Sequence, residues 1–67
     1  MQIALIILKS GIHLITKAEQ LDEEPSCHME HPYMIREDGT LEPWPRYTND
    51  TDILLYSETI ATIVEPD

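Results

Sequence analysis

The segment Gln2-Ile3-Ala4-Leu5-Ile6-Ile7-Leu8 constrains the fold more than any other part of this sequence. Seven residues with β-branched content are strand length rather than helix length. Both alternating sets are apolar, so such a strand needs cover on both faces. The run Ile53-Leu54-Leu55-Tyr56 has the same property. A chain of 67 residues buries little apolar surface, and folds this small lean on disulfides, a metal or self-association. Cys27 is the only cysteine, which excludes a disulfide within one chain. Cover for the two strands must therefore come from the sheet curling on itself or from neighbouring copies.

The rest of the chain predicts further strands. Ser10-Gly11 reads as a two-residue turn. Residues 12–21 alternate Ile12, Leu14, Thr16 and Ala18 with His13, Ile15, Lys17 and Glu19, a strand period. Ile12, Ile15, Ala18 and Leu21 also fit a helical period, but the preceding strand and turn favour a hairpin. Asp22 to Ser26 is a loop. A third strand is expected over Cys27–Glu37, where Pro32 requires an edge position or a bulge. Asp38-Gly39 is a turn pair, and Leu41–Asp52 reads as an ordered loop pinned by Trp44. Ile53–Tyr56 is the fourth strand, Ser57-Glu58-Thr59 a tight connection, and Ile60–Val64 the fifth strand, ended by Pro66. The expectation is one all-β domain over 1–67, five short strands in a single antiparallel sheet with two edges open to other chains.

Charge narrows the partners. The formal net charge is −9. Residues 1–20 carry Lys9 and Lys17 against Glu19, a net of +1, so residues 21–67 hold a net of −10. That surface repels phosphate backbones and favours solubility. At 42% hydrophobic the chain is too apolar to be disordered. No apolar run reaches the ~20 residues of a membrane helix, and no charged residue precedes Ile3–Leu8 as a secretory signal requires. A soluble, cytoplasmic, self-associating domain is expected.

Two motifs resemble the Sm-like (LSm/Hfq-type) family. Leu8-Lys9-Ser10-Gly11-Ile12-His13-Leu14, continuing to Leu21-Asp22, is similar to the family's first motif, in which a strand turns at glycine into an alternating strand ending in a hydrophobic-Asp pair. Residues 53–66, from Ile53 through Tyr56 to Pro66, are similar to the second motif in its Hfq form. The two matches cover about half of the chain, one at each end. Short length and a long acidic middle resemble small phage-type members. The resemblance implies a small, strongly bent five-stranded antiparallel Sm-like barrel, here without the family's N-terminal helix. It also implies a ring of five to seven copies, in which the fourth strand of one copy pairs with the fifth of the next. Leu54, Tyr56, Ile60, Thr62 and Val64 would then lie at or near the subunit interface; the alternative is an ordinary hairpin inside a monomer.

The family's RNA-binding residues carry over incompletely. In Hfq a Tyr-Lys-His segment at the central pore helps to hold uridine-rich RNA. Tyr56, Ser57 and Glu58 take those places, so the tyrosine is retained while lysine and histidine are lost. A ring would set one Glu58 carboxylate per subunit around the pore. Thr16 stands where the family keeps a glycine to bend its second strand, so the bend is expected weaker or shifted. Ser26 stands where the eukaryotic-type signature has asparagine and lacks the amide edge that reads a base. Five to seven copies would carry about −45 to −63 charges. Base stacking on Tyr33, Trp44, Tyr47 or Tyr56 would return ~1–3 kcal/mol per base, although packing is the commoner use of a residue such as Trp44.

Other constellations are weaker. Cys27-His28-Met29-Glu30-His31 holds metal-capable ligands, but an extended strand puts Cys27 and His31 roughly 13 Å apart. No metal and no cofactor are expected. A hydrolase pairing of Ser57 or Ser26 with His13, His28 or His31 has no nucleophile elbow and little pocket. Asp50 and Asp52 read as a solvated turn before a strand. The sequence therefore predicts a non-enzymatic, ring-forming assembly or interaction module, regulatory in a phage setting, with itself and an unidentified protein as partners. The alternative is an Sm/Hfq-type RNA-binding ring using Tyr56 and a local basic patch.

Overall fold

A computed structural model of the chain describes residues 2–46 and 48–65. The expectations placed on Tyr47 and Pro66 fall outside that range. The fold is all-β: β1 (Gln2–Leu8), β2 (His13–Gln20), β3 (Cys27–Ile35), β4 (Leu41–Pro43), β5 (Asp52–Leu55) and β6 (Ile60–Val64), with a 3₁₀ turn over Ser57–Thr59 as the only helical element among the described residues. All pairings are antiparallel. The sheet runs β4-β3-β2-β1-β6, and β5 pairs with the other half of β3.

Two hairpins use one device. The Gly11 amide donates to the Leu8 carbonyl and the Leu8 amide to that of Ile12, both at 2.9 Å. The Gly39 amide donates to the Arg36 carbonyl at 2.9 Å and the Arg36 amide to that of Thr40 at 2.8 Å. Each loop thus has three residues, and each glycine takes a left-handed φ, 96° at Gly11 and 86° at Gly39. That is the geometry of a three-residue hairpin loop ending in a G1 bulge. The first turn is therefore one residue longer than Ser10-Gly11 predicts. The second joins β3 to a strand, β4, where the sequence predicts loop.

The middle of β3 decides the shape. Its register against β2 slips between Ile15↔Tyr33 and Lys17↔Glu30, so His31 and Pro32 together face Thr16. His31 has φ 54°. Pro32 has no amide to leave unpaired, so it sits at this bulge without loss. Before the bulge β3 pairs with β5, and after it with β4. Bulges bend strands. The irregularity falls level with Thr16, but the extra residue is on β3, so no glycine is needed in β2. Thr16 is buried, and its hydroxyl donates to the carbonyls of Lys17 at 3.0 Å and Glu30 at 3.1 Å.

The core lies on one face. Ala4, Ile6 and Leu8 from β1 meet Leu14, Cys27, Met29 and Leu55, with Ile6, Leu14 and Met29 fully buried. Trp44 packs against this cluster, as its place in the sequence predicts. No helix among the described residues is long and apolar enough to cross a membrane.

Candidate assembly edges and the turn between them

Each of β5 and β6 is paired on one side, β5 with β3 and β6 with β1. Their other edges carry the unpaired backbone groups that template strand addition. Large apolar side chains are exposed on and beside these two strands, Leu54 at 54%, Tyr56 at 53%, Ile63 at 50% and Val64 at 42%, as they also are at Leu41 on β4, Ile3 on β1 and Tyr33 on β3.

Register sorts these side chains by face, because directly opposite residues of an antiparallel pair share one. Leu55 opposes buried Cys27 and faces the core, so Leu54, opposite His28, faces out. In β6, Ile63 opposes Ile6, and Thr62 and Val64 oppose Ile7 and Leu5. The register then skips Ala61 and pairs Ile60 with Leu8. Simple alternation puts Ile60, Thr62 and Val64 together. The bulge at Ala61 instead puts Ile60 with Ile63 on the inner face and leaves Thr62 and Val64 outside. Between the start of β1, the end of β2 and β6 lies a cleft of about 400 Å³, floored by Ala4, Ala18, Cys27 and Ile60 and walled by Ile63.

The turn joining the two edge strands is tightly held. The Thr59 amide and hydroxyl both donate to the Tyr56 carbonyl, at 3.1 and 2.8 Å. The Lys9 amide donates to the Thr59 carbonyl at 2.9 Å, docking the turn on the first hairpin. Glu24, from the β2–β3 loop, takes the rest. Its carboxylate accepts the Ser57 amide at 3.0 and 3.2 Å and the Ser57 hydroxyl at 3.0 Å. Burial raises the Glu24 pKa, but the Ser57 amide, the Ser57 hydroxyl and the Ser26 hydroxyl outweigh it, and the net shift is downward. Nothing local links Glu24 to Ser57 in the sequence, and sequence reasoning misses it.

This arrangement bears on the three carried-over residues. Tyr56 is exposed at the head of the turn. Ser57 spends its donors on a carboxylate of its own chain, where a nucleic acid would need them free. Glu58 is exposed. Neither Ser57 nor Glu58 supplies a cation to a phosphate.

The metal-capable residues diverge. Cys27 faces the core, where burial raises its thiol pKa. His28 faces out, its Nε2 3.0 Å from Asp52 Oδ1 and its Nδ1 3.9 Å from Glu19 Oε2. His31 sits at the bulge. The basic residues of the middle are paired: Arg36 and Arg46 both bind Glu42, at 2.7 Å each. The hydrogen bonds from Arg46 and Arg36 hold the Glu42 carboxyl below its usual value.

Over its whole length, residues 1–67, the sequence matches a family described as a family of unknown function (DUF6561). No curated protein matches it.

Proposed function

The chain belongs to the DUF6561 family of unknown function, and from that premise we propose that it is a non-enzymatic assembly module that builds an Sm-like ring from copies of itself. One observation carries the reading. The last two strands, β5 and β6, each leave one edge unpaired, as β4 also does, and only these two are joined by a short turn, the 3₁₀ turn over Ser57–Thr59. A β5 edge offered to the β6 edge of the next copy is a heterologous contact, and such contacts close into rings when the rotation allows. The exposed Leu54, Tyr56, Ile63 and Val64 supply the apolar surface for it. The register shifts at His31 and Ala61 are bulges of the kind a strongly bent barrel needs.

The RNA-binding version of the ring is the weaker reading. Glu24 fills the Ser57 donors, Glu58 adds a carboxylate, and the chain is at −9. Light scattering on a sizing column tests the ring: five to seven times 7.7 kDa is expected, and a monomer at all concentrations rejects it. A polyuridine titration at low salt should show no tight binding; tight, salt-sensitive binding would restore the RNA reading.

A further inference from the structure

We draw no further inference here: the strongest candidate, the apolar cleft of about 400 Å³ between the start of β1, the end of β2 and β6, walled by half-exposed Ile63, carries no proposal because nothing in the structure shows what covers it.

Discussion

His31 shows how a single residue redirects the sheet. A left-handed φ of 54° is unfavourable for any residue with a Cβ, and β-branching makes it worse. The conformation persists because the surroundings fix it: the His31 amide donates to the Thr51 carbonyl at 2.7 Å, and the Trp44 amide donates to the Pro32 carbonyl at 3.0 Å. Those two bonds anchor the segments flanking β5 and β4 at the point where β3 changes partner. Glycine reaches left-handed φ without strain, whereas valine does not. His31→Gly should therefore fold at least as stably as wild type, and His31→Val should be about 1–2 kcal/mol less stable than His31→Gly. Urea titration of the three chains measures this. Equal midpoints for the glycine and valine variants would mean that the bulge relaxes. Part of this was legible beforehand. Pro32 inside a strand-like run announces a bulge or an edge, but no signal in the sequence assigns the left-handed residue to His31.

At the scale of elements, legibility follows the range of the interactions. β1, β6 and both glycine turns are written in local pattern, and the structure places them there. β4 is not, because Leu41-Glu42-Pro43 is too short to show a period; it is a strand only because it lies against Tyr33 to Ile35. The inner and outer sides of β6 were likewise hidden, since the slip at Ala61 is set by pairing with β1. The clamp of Glu24 on Ser57 spans 33 residues and leaves no trace in either segment. That clamp fixes the turn between the two open edges, and so the angle at which they are presented. Its pH dependence has a definite sign. The folded-state pKa of Glu24 lies below the ordinary 4.5, so its stabilisation is complete above that value and is lost as pH falls through the lowered one. Glu24→Gln should lower the melting temperature at pH 7, and the gap from wild type should close below about pH 4.5. A gap that is constant with pH would mean that the carboxylate charge plays no part in holding the turn.

At the scale of the whole molecule, the proposed assembly would work against the charge of the chain. The core of the chain is seven buried apolar residues, while large apolar side chains such as Leu41, Leu54, Ile63 and Ile3 stay exposed on its edge strands and on β1. Burying those on other copies is favourable but brings nine net negative charges together with each subunit added. At low ionic strength the repulsion reaches across a neighbouring subunit, because the screening length is about 30 Å at 0.01 M and about 10 Å at 0.1 M. Edge-strand hydrogen bonds and apolar contacts have no comparable salt dependence. Added salt should therefore strengthen self-association, the reverse of its effect on nucleic-acid binding, where displaced counterions make affinity fall. Lowering the pH toward the sequence pI of about 4.4 should act in the same direction until Glu24 and the Arg36–Glu42–Arg46 cluster begin to protonate. Sedimentation at fixed protein concentration, from low salt to several hundred millimolar, reads this directly. A mass that rises with salt identifies an assembly held by apolar edges against its own charge. A mass that falls with salt would mean that ion pairs between copies hold it together, and that the cations Lys9 and Lys17 of the near-neutral first third meet the acidic remainder of the next copy.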